Sequence, residues 1–399
     1  MKKDWRNILT FSLCIVTAAL VFLSGMSVRS ILDRKEYTAE DKLTDAVEIL
    51  RDYYVGELDE GTMADYAISA MVNSTGDRWS YYMTAEGYQS YLDSQNNQYG
   101  GLGIVIASDE NGLAHIKKVY AQSAAGEAGI PAGCYFERVG EQDISALGVN
   151  EVSALLQEQI KTGLVELTLR TPEGELRSYR LVPGSVLTEP VTSAILDSGF
   201  GYIRVDNFEN RSASMSIEAV DAMVEAQVPG IIFDMRENPG GQLSELLKLL
   251  DHLLPEGKLF ISKTADGREE TDYSDAECIE LPMAVLVNGD TYSAAEFFAA
   301  ALGEYGWAQI VGSPTTGKGR AQVTVPMEDG SAIHISTFSY RTPEGRDLTG
   351  VGLTPDVRID LSEEELTDLY YELLPYEEDD QLLAAEATLR EIITAKPGT

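Results

Sequence analysis

The chain has 399 residues, of which 65 are acidic and 30 are basic, so its formal net charge is −35. Hydrophobic residues make up 44% of the chain, which allows a sizeable core and two or three domains. Because binding to phosphates needs a basic surface, this charge argues against nucleic acid as a partner. The three cysteines, Cys14, Cys134 and Cys278, have no spacing typical of a metal site or a disulfide framework.

The N-terminus combines a basic start with an apolar run. Lys2, Lys3 and Arg6 precede residues 8–28, which carry no charge. A run of this length can cross a bilayer as a helix. A cleaved signal peptide is the alternative, but the small residues of a cleavage site are poorly placed. We therefore expect residues 1–35 to hold a single-pass membrane anchor, with the rest of the chain outside the cytoplasm.

Two segments of different character follow. Residues 36–96 have helical periodicity, with helices expected near residues 62–73 and 85–95. Residues 97–185 contain short β-branched and alternating strands, Gly-rich turns and an amphipathic helix. This second pattern predicts a small β-rich domain.

The next segment, residues 187–360, alternates strands with helices. Its short buried-strand candidates are GYIRV, GIIFDM, MAVLVN and AQIVG. This rhythm predicts an α/β core with parallel strands, and a hairpin turning at Asp329-Gly330 follows them. Residues 361–399 are acidic and helical, and the run SEEELTDLYYELLPYEEDD is predicted to be a solvated helical face.

The stretch over residues 282–327 carries the chemistry. It places Ser293 at the end of an apolar strand and the start of a helix, and Lys318 in a Gly-flanked turn before Gln322. A serine needs a base to become a nucleophile, and lysine can be that base if burial lowers its pKa. A helix N-terminus favours a developing oxyanion, although a serine there is often only an N-cap. The spacing predicts a serine hydrolase with lysine as base, oriented by Gln322.

Two Gly-rich turns need separate interpretations. In DMRENPGG, residues 234–241, the Pro-Gly-Gly turn exposes backbone N–H groups, which makes either an oxyanion hole or an ordinary strand-to-helix turn. GSPTTGK, residues 312–318, resembles a nucleotide-binding P-loop. However, Gly319 stands where Ser or Thr should hold Mg²⁺, and a strand-like stretch follows instead of a helix. This pattern disfavours nucleotide binding.

Histidine supplies a negative argument. Only His115, His252 and His334 are present, each in a pattern typical of packed or half-exposed residues. None is expected to be a catalytic base, and the lack of a Cys/His cluster disfavours a metallohydrolase.

Taken together, these motifs resemble those of the carboxyl-terminal processing peptidases, the S41 family of serine proteases, over nearly the whole chain. The resemblance implies a crotonase-like (ClpP/crotonase-type) α/β protease core over residues 186–360. It also implies an inserted β-rich PDZ domain over 97–185 and helical N- and C-terminal segments. TYSAAE, residues 291–296, is similar to the nucleophile motif of the family, SASASE. On that basis Ser293, Lys318 and Gln322 form the catalytic triad.

The resemblance also implies further site residues and partners. It implies oxyanion donors among Gly240, Gly241 and Ala294. It implies a loop that binds substrate C-termini, made of Gly101, Leu102, Gly103 and Ile104. Protein substrates with free C-termini and a homodimer through the helical flanks are expected, without metal or organic cofactor.

The chain departs from the family pattern at several places. Thr291, Tyr292 and Ala295 replace residues that are usual beside the nucleophile, and Arg78-Trp79 stands where Pro and Tyr are usual. AGCYF replaces a usual Gly-Asp in the β-rich segment. Two alternatives stay open at this point: a peptide-binding scaffold with a silent core, and a crotonase-type acyl-CoA enzyme. Processing of signalling proteins and turnover of the cell envelope are both compatible with the motifs.

Overall fold

A computed structural model describes residues 37–109, 111–370 and 374–395 of the chain. The predicted anchor, residues 8–28, lies outside these residues. In the described ranges, no helix has the length and apolar character needed to cross a membrane. The chain divides into two compact units, Met1–Ala67 and Ile68–Thr399, and each is described by itself.

The described part of the first unit is helical, as predicted. Helix α1 (Ala39–Tyr53) begins with a capping box. The Thr38 side chain accepts a hydrogen bond from the Asp41 backbone, and the Asp41 carboxylate accepts one from Thr38. Helix α2 (Glu60–Asn73) begins in this unit and continues into the second. None of the residues of α1 is buried, so its apolar side chains remain exposed.

The second unit is built on a six-stranded sheet. Its strands are β10 (Val191–Ile195), β11 (Gly201–Val205), β12 (Ile231–Asp234), β15 (Met283–Val287), β16 (Ala308–Gly312) and β19 (Val357–Arg358). They lie in the order β10-β11-β12-β15-β16-β19. β10 pairs antiparallel with β11, and every other pair in this sheet is parallel, which confirms the prediction of parallel strands.

Helices cover both faces of this sheet. Successive side chains of a strand point to opposite faces, so Ile231 and Phe233 of β12 join one hydrophobic core while Ile232 joins another. The first core is shared with α6 (Ser212–Glu225), α7 (Leu243–Leu253) and α8 (Ala294–Glu304). The second core is shared with α10 (Asp380–Ala395). Burial on both faces explains why the central strands β12 and β15 are mostly apolar.

A second sheet contains β1 (Tyr81–Met83), β13 (Gly257–Thr264), β14 (Glu269–Ser274), β17 (Arg320–Pro326) and β18 (Ala332–Arg341). β17 and β18 form the predicted hairpin around Asp329-Gly330. β1 lies inside the segment predicted to be helical. It forms because its three residues pair with β18, a contact distant in sequence. The β13–β14 hairpin was not predicted, since its second strand is mostly polar and exposed.

Residues 98–187 form a β-rich region after helix α3 (Ala85–Gln95). Strands β2 (Gln98–Gly101) and β9 (Gly184–Leu187) pair at its base. The other strands are β3 (Ile104–Ser108), β4 (Ala114–Val119), β5 (Tyr135–Val139), β6 (Gln142–Asp143), β7 (Val165–Arg170) and β8 (Leu176–Leu181), with helices α4 (Ala124–Glu127) and α5 (Val149–Ile160). Their sheet has the order β3-β4-β5-β7-β8, with β6 beside β5 and with its own hydrophobic core.

The C-terminal segment is helical as predicted, with α9 (Glu363–Tyr370) before α10. The prediction of a solvated acidic face is wrong at Asp379, which is 3% exposed. Asp379 accepts two hydrogen bonds from the buried Arg236 guanidinium, at 3.0 and 2.7 Å. An ion pair with a buried cation removes the need for water at this carboxylate.

Candidate active site

Ser293 stands where the parallel sheet ends and helix α8 begins. Its backbone has φ 59° and ψ −124°, a left-handed value of φ that is uncommon for residues other than glycine. The preceding loop is fixed by the buried Thr291. Its hydroxyl donates to the Met235 carbonyl at 2.8 Å and accepts from the backbone N–H of Asn288 at 3.0 Å. The Ser293 side chain makes no capping hydrogen bond to α8. The loop therefore holds the hydroxyl free of the N-cap role that was its simplest alternative.

The turn after β12 lies against Ser293. Asn238 shapes it, because its amide nitrogen donates to the Val205 carbonyl at 2.7 Å and its oxygen accepts from the Gly240 N–H at 2.8 Å. Gly240 has φ +89°, and a Cβ there would lie 2.7 Å from both the Ala294 nitrogen and the Ser293 Cβ. Only glycine allows this approach.

Backbone N–H groups converge at this point. The Gly240 amide is occupied by Asn238. Among the described residues, nothing accepts from the Gly241 N–H, and Ala294 lies in the first turn of α8, where N–H groups lack helical acceptors. Gly241 and Ala294 are therefore the donors available to a developing oxyanion, whereas Gly240 contributes its small size.

A test of this packing is the substitution Gly240→Ala. The new Cβ must displace the backbone next to Ser293, and a displacement of about 1 Å in an active site can cost about 100-fold in rate. We expect kcat/KM to fall by about that factor. Gly267→Ala is the matched control, because Gly267 has φ +86° but no other atom lies within 4 Å of the place that the added methyl group would take. Equal activity losses in the two variants would attribute the effect to backbone strain alone.

Glu296 joins the turn that carries Lys318 to the helix that carries Ser293. The carboxylate is fully buried and accepts from the Gly317 N–H at 2.8 Å, from the Lys318 N–H at 3.0 Å and from the Thr315 hydroxyl. Burial raises the pKa of Glu296, and these hydrogen bonds partly oppose that rise. One carboxylate thus fixes the backbone of Lys318 relative to Ser293.

The Lys318 side chain is partly buried. Loss of hydration lowers the pKa of Lys318 to about 8, a shift that Arg78 reinforces and Asp77 opposes. Its Nζ lies over the rings of Trp79, at 4.7 Å from the centroid, and Tyr292, at 5.8 Å. A lysine with this pKa is partly neutral near neutral pH and can accept a proton.

The remaining polar groups lie on β17 and β18. The Gln322 amide nitrogen donates to the Ser336 hydroxyl at 2.9 Å and to the Arg320 carbonyl at 3.0 Å. The Tyr340 hydroxyl donates to the Lys318 carbonyl. Burial raises the pKa of Tyr340, and the nearby Ser293 side chain partly opposes that rise. His334, bonded to Thr324, has its pKa lowered to about 4 by burial and by Lys318.

These groups surround one cavity of about 410 Å³. It brings together the predicted residues Ser293, Lys318, Gln322, Gly240, Gly241 and Ala294. Within the described part of the chain, no hydrogen bond directly joins Ser293, Lys318 and Gln322. Part of the cavity lining is apolar, formed by Leu246, Phe260, Phe297 and Phe338, which belong to or pack against one hydrophobic core. The turn at residues 312–318 leads into strand β17, which agrees with the expectation that it is not a P-loop.

The predicted peptide-binding residues lie in the β-rich region. Gly101 ends β2, Leu102 is 2% exposed, and Ile104 begins β3. Gly103 has φ +81°, and a Cβ there would lie 2.0 Å from the Ser123 hydroxyl oxygen. β3 is at the edge of its sheet, since it pairs only with β4 among the described strands.

Sequence reasoning did not identify several residues of the site. Asp77 and Trp79 come from a segment far from Ser293 in sequence, and only the fold brings them to Lys318. Ser336 meets Gln322 through the pairing of β17 with β18. Glu296 left a signal, since it follows Ser293 by three residues and so lies on the same side of α8. Tyr340 left none, because tyrosines are frequent in the chain.

Comparison with known proteins agrees with this site. Residues 199–359 match the model of peptidase family S41. The carboxy-terminal-processing protease of Bartonella bacilliformis is 27% identical over 366 residues, covering 89% of this chain and 83% of that protein. Carboxy-terminal processing protease CtpA of Bacillus subtilis is 27% identical over 388 residues, covering 94% and 81%.

Solved structures share the fold. The photosystem II D1 C-terminal processing protease has 23% identity and a TM-score of 0.50, covering 88% of this chain and 91% of its own. An S41 protease from Bacteroides fragilis has 17% identity and a TM-score of 0.57, covering 90% and 99%.

The fold, the serine-bearing cavity and these similarities define a serine peptidase. Residues 199–359 are similar to peptidase family S41, and most of the chain is similar to proteases of the carboxy-terminal processing type. These similarities favour a peptidase over the two alternatives from the sequence, an acyl-CoA enzyme and a silent scaffold.

Proposed function

We propose that the chain cleaves protein substrates with a Ser293-Lys318-Gln322 triad. The observation that carries this proposal is that Ser293 and a half-buried Lys318 line one cavity, with Lys318 lowered in pKa to about 8. Neutral Lys318 takes the proton of the Ser293 hydroxyl as its oxygen attacks the scissile carbonyl. Lys318 then gives that proton to the leaving amine, and water hydrolyses the acyl-enzyme by the reverse sequence.

The oxyanion of each tetrahedral intermediate is stabilised by the Gly241 and Ala294 amides. The N-terminus of α8 adds a favourable dipole. Gln322 orients Lys318 when the lysine turns toward Ser293, and Ser336 holds the Gln322 amide from the other side. This requires a short movement of the lysine side chain, since its Nζ lies over Trp79 and Tyr292 at rest.

The apolar part of the cavity lining selects an apolar substrate side chain next to the cleaved bond. Phe260, Phe297 and Phe338 provide a wall without a charged group. Burying a charged substrate side chain there would cost several kcal/mol of desolvation, whereas an apolar one gains by leaving water. Substrates with apolar residues at this position are therefore preferred.

The β-rich region acts as a PDZ domain that binds substrate C-termini, inserted before a crotonase-like core. Supporting this are the open edge of β3 and the loop of Leu102 and Gly103 that precedes it. Ile104 and Ile106 of β3 pack on the same core as Val152 of α5. A peptide tail added along β3 would pair with its free edge and place its carboxylate at the loop amides.

The chain is further proposed to be anchored by residues 8–28 with its catalytic part outside the cytoplasm, and to dimerise through its helical flanks. The exposed apolar residues of α1, Leu43, Ile49 and Leu50, support the dimer. Recovery of the full chain from the aqueous fraction of lysed cells would refute the anchor. Sedimentation of the detergent-solubilised chain as a monomer would refute the dimer.

The experiment that tests the activity is incubation of the purified full chain with unfolded β-casein, beside Ser293→Ala. We expect cleavage by the parent and none by the variant. Ser214→Ala, an exposed serine in the first turn of α6, is the matched control and should cleave as the parent does. Cleavage by Ser293→Ala would refute the role of Ser293. In a second arm, peptides ending in a carboxylate or a carboxamide should differ in KM, and equal KM values would refute recognition of the tail.

A further inference from the structure

The contacts of the Lys318 ammonium are unusual for a catalytic base. Two aromatic rings face it within about 6 Å of their centroids, the range in which a ring attracts a cation. The two rings also touch each other, with 5.6 Å between the centroids of Trp79 and Tyr292. The ammonium therefore lies against a continuous aromatic wall.

We propose that Trp79 and Tyr292 form an aromatic cage that holds the Lys318 ammonium and positions this side chain in the resting enzyme. The inference rests on the proposed roles of Ser293 and Lys318. To act, the lysine loses its proton to solvent, leaves the rings and accepts the proton of the Ser293 hydroxyl. Trp79 and Tyr292 are positioning residues in this scheme, since they act through Lys318 and not on the substrate.

The backbone holds both rings in place before substrate arrives. The Asp77 carboxylate accepts from the Trp79 N–H at 3.2 Å and from the Ser80 hydroxyl at 2.6 Å. The Tyr292 N–H donates to the Asn238 carbonyl at 3.2 Å. The Arg78 guanidinium also packs on the Trp79 ring, at 4.3 Å. The cage is thus built into two separate turns, each fixed by its own hydrogen bonds.

The rings and the loss of hydration have opposite effects on the pKa of Lys318. Burial favours the neutral amine, whereas the negative face of each ring favours the ammonium. The charged and titratable groups that face Lys318 or its neighbours are Asp77, Arg78, Tyr292, Glu296, Arg320, His334 and Tyr340. The cage therefore predicts the sign of the change in the pKa of Lys318. If an apolar side chain without a ring replaces one of the aromatic residues, the ammonium should lose its proton more easily, and this pKa should fall.

The test is the pH dependence of kcat/KM for Trp79→Leu and Tyr292→Leu. Leucine keeps the site apolar but has no aromatic face. We expect the rising part of the plot of kcat/KM against pH to move to lower pH by about 0.5 to 1 unit in each variant. At a pH below the pKa of Lys318, kcat/KM of each leucine variant should therefore be several-fold higher than that of the parent. Tyr292→Phe keeps the ring and is the matched control, with a profile like that of the parent. An unchanged rising part, or one moved to higher pH, would mean that the rings only exclude water, and would overturn the cage.

A measurement without turnover separates this inference from the proposed function. In the Ser293→Ala background, the Lys318 amine can be titrated by NMR in selectively labelled full chain, with Lys318→Met identifying its signal. We expect Trp79→Leu to lower this pKa there too. If activity does not depend on Ser293 but the titration still shifts, the proposed function fails and the cage stands. A titration that stays the same in folded protein refutes the cage by itself.

Discussion

Replacing Lys318 with Met is expected to lower kcat/KM for protein cleavage by at least about 10⁴-fold, because removing one member of a nucleophile–base unit costs about as much as removing all of it. Met has a similar length and suits the apolar part of the site, so the fold should be retained. Substrate binding should be little changed, since no part of the proposed binding surface depends on the amine. Steady-state kinetics and equilibrium binding to the uncleaved substrate would check both statements.

The pH dependence of the parent enzyme is a second test of Lys318 as the base. A lysine acts as a base only when it is neutral, so the activity should rise with pH through the Lys318 pKa of about 8. His334 has a pKa lowered to about 4 and is neutral at every pH on that limb. A limb near 6.5 would therefore point to another base.

Lys318→Arg is the matched control for charge. Arginine keeps the positive charge and can still lie over the rings, but it stays protonated in proteins. We expect it to be as inactive as Lys318→Met. Substantial turnover by the arginine variant would refute general-base catalysis by this residue.

The sequence predicted the parallel strands and the helices of the core because each of these elements has a pattern of apolar residues that is visible within its own segment. β15 is apolar throughout and β12 is apolar up to Asp234, as is typical of strands covered on both faces. β1 has no such signal, since its three residues become a strand only by pairing with β18. Local pattern thus predicted the elements that bury both faces and missed those that tertiary pairing creates.

The same distinction holds for the site. Ser293, Lys318 and the Gly240-Gly241 turn were identified because short motifs carry them. The two rings that lie against the Lys318 Nζ come from Trp79 and Tyr292, two positions at which the chain departs from the motifs that it otherwise resembles. Neither has a local pattern that points to a lysine, because their meeting with it depends on the whole fold.

Replacing Arg236 with Met is expected to lower the free energy of unfolding by about 3–5 kcal/mol, the usual result of breaking a buried ion pair from one side. Arg236 is 1% exposed and bonds Asp234 and Asp379, so the variant leaves the buried Asp379 without its cation and leaves Asp234 with only Arg204, at 4.0 Å. Denaturant unfolding would measure the loss. Arg358→Met is the matched control: its pair with Asp360 is exposed on both sides and should be worth less than about 1 kcal/mol.

The pH dependence of this loss has a definite sign. Burial alone would raise the pKa of Asp234, but Arg236, together with Arg204 and the Tyr202 hydroxyl, more than offsets that effect and lowers the pKa to about 2. A carboxyl with a lowered pKa stabilises the fold above its unfolded value, and this contribution disappears as the pH falls through the folded value. The difference between parent and Arg236→Met should therefore be largest at neutral pH and should narrow from about pH 4 toward pH 2. A difference that stays constant over that interval would mean that Arg236 stabilises the fold by packing and not by its charge.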